Sequence, residues 1–113
     1  MTGTPKIDIA PENWAIVSAI LQRHVPDREV WAFGSRAKWT AKPYSDLDLA
    51  IGAGRRVSLD ETAILAEAFS ESDLPYRVDI VDWHAIDASF QRIIAGDRAL
   101  LIDAVPDVTP PRR

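Results

Sequence analysis

The sequence contains no cysteine and only two histidines among its 113 residues. Without cysteine, neither a disulfide framework nor a thiolate zinc site can be built. Two histidines are too few to make a zinc centre the expected reading. Long apolar runs are missing as well: no stretch approaches the roughly 20 residues needed to span a bilayer. The start, Met1-Thr2-Gly3-Thr4-Pro5-Lys6, lacks the charged-then-apolar pattern of a secretory signal, so the chain reads as cytoplasmic. Basic charge is in deficit, with 13 Lys and Arg against 17 Asp and Glu and a formal net charge of −4. Binding long nucleic acid by counterion release needs a basic face, so no long nucleic acid partner is expected. A small anionic substrate remains open, because a local cluster of cations suffices for it.

What is present fits one globular domain. The composition is 47% hydrophobic and 27% charged, which is ordinary for a folded chain and unlike disorder. Residues 1–9 carry little pattern and 105–113 form a proline-broken tail, leaving 10–104 as the domain. Pro11 suits the first position of a helix to His24, on which Trp14, Val17, Leu21 and His24 recur at helical spacing. His24 and Trp14 on that stripe, and Trp31 beyond it, read as packed structural residues. Pro26 stops the helix. Glu29–Phe33 reads as a strand ending at Gly34, and a polar stretch from Arg36 to Ser45 leads to a second strand, Asp46–Ile51. Ser58-Leu59-Asp60-Glu61 is a capping box that opens a helix through Phe69. A third strand, Tyr76–Asp82, precedes a helical region from Ile86 to about Ile102, interrupted near Gly96. The order αβαβαβα predicts an α/β (α+β) domain with a small mixed sheet flanked by helices.

The second strand carries the first chemical signal. Side chains alternate along a strand, so Asp46, Asp48 and Ala50 share one face while Leu47, Leu49 and Ile51 face the core. Two carboxylates backed by an apolar layer repel each other, and a shared hard cation relieves them. Mg²⁺ takes oxygen ligands, commonly one or two carboxylates completed by substrate phosphates and water. An isolated Asp-x-Asp is more often a solvated edge. On the third strand Asp79 sits between Val78 and Ile80, on a face shared with Arg77 and Val81. Beside the second strand it completes a three-carboxylate site, allowing two metals or a base; a salt bridge or strand-end charge is the alternative. Asp82 reads as a cap for the turn that follows.

Upstream, Gly34-Ser35 lies where a strand turns into a helix. There glycine allows close backbone approach, and the free N–H groups of the helix start suit a phosphate. Alone, Gly-Ser is simply a turn with a serine cap. With ten residues separating Ser35 from Asp46, however, the combined pattern matches a given start by chance on the order of once in 10⁵. Arg36, Lys38 and Lys42 lie in between and offset triphosphate charge, Arg36 being the strongest candidate. Arg55-Arg56 reads as a loop pair at the rim, and His84, after the third strand, as structural. Trp39, in this polar segment, reads as a stacking platform for a base, a contact for a partner protein, or a lid over the core.

Gly34-Ser35-Arg36-Ala37, then Tyr44-Ser45-Asp46-Leu47-Asp48-Leu49-Ala50 and Val78-Asp79-Ile80-Val81, resemble the minimal nucleotidyltransferases of the DNA polymerase β superfamily. The resemblance covers roughly residues 11–102. It implies a polymerase β-like nucleotidyltransferase fold, a triphosphate on Gly34 and Ser35 with Arg36 beside it, Asp46 and Asp48 as metal ligands, Asp79 as the third acid, two Mg²⁺ ions, and ATP as donor. Many such short proteins resemble antitoxins that adenylylate a tyrosine of a HEPN-type toxin, while others act mainly by binding. A third alternative is one subunit of a two-chain enzyme acting on a small molecule. Position 39 is Trp where glycine is expected in many relatives.

Overall fold

The computed structural model describes residues 5–52 and 57–102. Eight elements follow in chain order: α1 Pro11–His24, β1 Val30–Phe33, α2 Ser35–Lys38, β2 Leu47–Ile51, α3 Leu59–Ser70, β3 Val78–Asp82, α4 Ala88–Asp97 and β4 Ala99–Ile102. α1 buries Trp14, Val17 and Leu21, the stripe read from the sequence, and Val25 closes it through an N–H bond to the Leu21 carbonyl. α3 starts at the expected capping box: the Ser58 side chain accepts from the Glu61 N–H while the Glu61 carboxylate accepts from the Ser58 N–H. The same carboxylate oxygen accepts a 2.9 Å bond from Arg28, a fully buried cation in the turn between α1 and β1. That ion pair joins the first connection of the chain to the start of α3.

The sheet has the order β3-β2-β1-β4. β1 is antiparallel to both β2 and β4, whereas β2 and β3 are parallel, so α3 serves as the crossover a parallel pair requires. Period-two alternation then separates two faces. Leu47, Leu49 and Ile51 of β2 are fully buried on the face covered by α1 and α3, together with Val17, Leu21, Leu65 and Phe69. Burying each such aliphatic side chain stabilises the fold by about 1.5–3 kcal/mol. On the opposite face, Trp31 and Ala50 pack with Ile94 of α4, and Phe33, Val81, Trp83 and Phe90 gather around them.

Two expectations are corrected. The helical region expected from Ile86 to about Ile102 ends at Asp97; Arg98 turns extended and Ala99–Ile102 becomes β4 on the open edge of β1. Ala-Leu-Leu-Ile is apolar enough for either state, and the unpaired backbone of β1 decides for strand. The expected domain start at residue 10 moves earlier as well: Ile7 and Ile9 are buried in the main core, and the Asp8 N–H donates to the Arg36 carbonyl, while residues 1–4 lie outside the described residues. The tail at 105–113 and the pair Arg55-Arg56 lie outside the described residues. The strands start one or two residues later than expected, and Asp46 lies one residue before β2.

Candidate active site

The register of the sheet assembles the site. Asp48 of β2 is the direct partner of Phe33 on β1 and of Asp79 on β3. Paired residues project to one face, so the two carboxylates stand side by side across a parallel pair, with the ring of Phe33 on the other flank. This is the face that α4 covers only in part. Trp31, Ala50 and Ile94 seal one half, braced by Phe33–Phe90 and Trp31–Trp83 edge contacts at 5.8 and 5.2 Å. The half bearing Asp48 and Asp79 stays accessible, both side chains being only partly buried, as is Asp46 two residues before Asp48.

Gly34 closes the site from above. Its φ of +77° and ψ of −156° belong to a region that only glycine occupies without strain. Space demands glycine as well, because a Cβ built there would overlap the Asp48 carboxylate and lie 3.2 Å from its Cγ. The turn from β1 into α2 therefore presses directly on the carboxylate that the sheet presents. Gly34→Ala is expected to cost about 1–3 kcal/mol in backbone strain and to rotate the Asp48 carboxylate. Denaturant melts together with the NMR titration of Asp48 check both effects.

Charge crowding leaves its mark on Asp48. Burial, then the charge of Asp79, then that of Asp46 push its pKa up from 3.8 to about 6. Arg77, two residues before Asp79 on the same face, donates to Asp79 Oδ1 at 3.1 Å. Arg77 was not among the expected site residues, although the Arg-x-Asp alternation along this strand carries the signal for it. Among the described residues, no three ligating side chains are already gathered into a metal-holding group. Even so, the donor set fits Mg²⁺, which needs only one or two carboxylates when phosphate and water complete its shell. A carboxylate whose ionisation two neighbouring carboxylates oppose is also one that a cation would stabilise.

Arg36 stands apart from its expected role. The side chain is buried at 4% exposure and stacks 3.8 Å from the centre of the Tyr76 ring. Its Nε donates to the Ser45 carbonyl, Nη1 to that of Asp8, and Nη2 to those of Lys42 and Pro43, at 2.9–3.3 Å. A guanidinium has five N–H donors, so this one is committed to backbone and not to a phosphate. It acts as a clamp on the loop that delivers Asp46. Lys38 pairs with Asp97 at 3.5 Å across to α4, and Lys42 is exposed. Asp82 is the cap expected of it, accepting from the N–H groups of Val57 and His84. Trp14 and Trp31 are core, whereas Trp39 is 63% exposed and covers no core.

Comparison with known proteins follows the same residues. The family model described as Polymerase beta, Nucleotidyltransferase matches residues 17–106. A Haemophilus influenzae protein named Probable protein adenylyltransferase MntA is 53% identical over 94 residues, covering 83% of this chain and 82% of that protein. Among solved structures, a toxin–antitoxin complex with AMP-PNP superposes with a TM-score of 0.67 at 23% identity, covering 79% of this chain and 72% of the other. A tri-AMPylated Shewanella oneidensis HEPN toxin in complex with MNT antitoxin gives 0.60 at 21% identity, covering 80% and 69%. At these identities the structural matches establish the fold.

Proposed function

Because the chain belongs to the polymerase β nucleotidyltransferase family, we propose that it transfers AMP from ATP to a hydroxyl of a HEPN-type partner protein and thereby acts as an antitoxin in the cytoplasm. The observation that carries this reading is the register pairing of Asp48 with Asp79 directly beneath the Gly34 turn. The protein acceptor is supported by the adenylyltransferase name of the 53% identical relative and by the fold shared with an antitoxin found on an AMPylated toxin.

In this reaction the acceptor oxygen forms a bond to the α-phosphorus, the bond from that phosphorus to the β-phosphate oxygen breaks, and pyrophosphate leaves. Asp46 and Asp48 would hold Mg²⁺, with Asp79 completing a site for a second ion. Bound there, the metal supplies neutralisation of phosphate charge and alignment of the attacking and leaving oxygens. The chain does the rest. The Ser35 hydroxyl and the first N–H groups of α2, which have no partners within the helix, hold the triphosphate. Gly34 allows that backbone close approach. Asp79 orients the acceptor hydroxyl and takes its proton on a carboxylate oxygen, with the Arg77 hydrogen bond to Oδ1 fixing the direction of that carboxylate. Arg36 holds Ser45, and therefore the Asp46 backbone, in place. Most of the rate then comes from positioning and preorganised charge.

Labelled ATP tests the reaction class. With Mg²⁺ and a HEPN-type partner protein, label in the α-phosphate is expected on the partner, and label in the γ-phosphate is not. Asp46→Asn with Asp48→Asn is expected to abolish the signal without preventing complex formation. Label from the γ-position with none from the α-position would mean phosphoryl transfer; no labelling beside tight binding would leave an antitoxin that acts by masking.

A further inference from the structure

The segment between the phosphate turn and the carboxylates has a property that the reaction does not use. Trp39 ends α2 with φ +62° and ψ +33°, and it is the one non-glycine residue with positive φ among the described residues. The left-handed conformation favours glycine or asparagine at a helix C-terminus, and a bulky indole is a costly occupant. No burial compensates, since Trp39 is 63% exposed and Tyr44, five residues on, is 78% exposed. A strained, exposed tryptophan calls for a role outside the fold.

The segment is nonetheless held firmly. The Thr40 N–H donates to the Ser35 carbonyl at 2.9 Å, and the Lys42 N–H donates to Ser45 Oγ at 2.8 Å while the Ser45 N–H returns to the Lys42 carbonyl. Three of the four Arg36 hydrogen bonds fix this same stretch from beneath, at Lys42, Pro43 and Ser45. Its outer surface consists of Lys38, Trp39, Thr40, Lys42, Pro43 and Tyr44, all exposed. Two exposed aromatics, with Lys42 between them and Lys38 paired to Asp97 at the edge, thus form a preorganised aromatic surface. Rigid aromatic anchors ringed by charge are what interface hot spots are made of, and presenting them already ordered lowers the entropic cost of docking.

We propose that Trp39 and Tyr44 dock the acceptor protein, through an apolar pocket bordered by acidic residues on its surface, and so deliver its hydroxyl to the adjacent carboxylates. This rests on the reading of the site as a protein-modifying one. Two features favour a protein over the base of the nucleotide: the segment leads straight into the carboxylates that an acceptor hydroxyl must reach, Tyr44 lying two residues before Asp46, and its exposed aromatics spread along it beyond what one base covers.

The test compares wild type with Trp39→Gly and Tyr44→Ala in affinity for the unmodified HEPN protein, in affinity for ATP, and in melting temperature. Glycine tolerates the backbone of residue 39, so Trp39→Gly is expected to melt at or above the wild-type temperature. Each variant is expected to bind the partner at least tenfold more weakly with ATP affinity within twofold of wild type. That outcome supports docking even if wild type transfers no label, a result that would defeat the reading of the site alone. Partner affinity within twofold of wild type for both variants overturns the proposal. So does a tenfold loss of ATP affinity with partner binding intact, which would make Trp39 a platform for the base.

Discussion

Asp48→Asn is expected to abolish nucleotide transfer and at the same time to stabilise the folded protein at neutral pH. The first effect follows from the site, where loss of a principal charge-positioning group costs at least about 10²–10³-fold in rate. The second follows from the crowding of Asp48 by burial and by Asp79 and Asp46, which pushes its pKa from 3.8 to about 6. As pH rises, the unfolded chain releases this proton first and the folded chain holds it longer. The stabilising contribution is therefore complete below about 3.8 and lost as pH passes through about 6, so that ionisation opposes folding at neutral pH. A shift of this size corresponds to about 3 kcal/mol; for a half-buried carboxylate, solvent screening reduces it to on the order of 1–2 kcal/mol. Asparagine keeps the shape and never ionises. Urea melts should place the variant above wild type at about pH 7.5 and bring the two together below about pH 4. A variant less stable than wild type at neutral pH would show that Asp48 contributes to the fold in a way the crowding does not describe.

Arg36→Lys carries the other large effect. The change keeps the charge and removes the fork, and a single ammonium cannot reach the carbonyls of Asp8, Lys42, Pro43 and Ser45 together or stack on Tyr76. Buried carbonyls left without donors cost about 1–3 kcal/mol each, with relaxation and water recovering part of it, so a loss of about 3–4 kcal/mol is expected. Transfer should fall with it, because Ser45 precedes Asp46, the metal ligand proposed above. The measurement is a pair: unfolding free energy, and KM for ATP under conditions where the variant is folded. A residue that gripped the triphosphate would instead leave stability near wild type and raise KM.

The contrast between these two residues shows what a linear sequence carries. The alternation Asp46-Leu47-Asp48-Leu49 states its own two faces, since period two is a local property, and the apolar residues on one side announce the layer behind. The capping box at Ser58 and Glu61 is equally local and was legible in full. Asp79 was legible as a candidate because its strand has the same alternation, but its partner was not: that Asp48 faces Asp79 depends on a parallel register set by α3. Arg36 failed for the opposite reason. A cation beside a phosphate turn reads as a phosphate ligand, and only the folded chain reveals the carbonyls of two distant segments converging on it. β4 was missed likewise, because a four-residue apolar run takes its state from the edge it meets.

The claim that this chain acts by catalysis is tested most directly by substoichiometric turnover. Intact-mass spectrometry of the unmodified HEPN partner, incubated with ATP, Mg²⁺ and a small fraction of one equivalent of this chain, reads every partner molecule at once. Catalysis by Asp46, Asp48 and Asp79 predicts that nearly all partner molecules gain the mass of one or more AMP units, and that Asp48→Asn leaves them unchanged. A partner unchanged in mass, yet silenced only when the two proteins are present in equal amounts, would contradict the account and establish a protein that works by covering its partner.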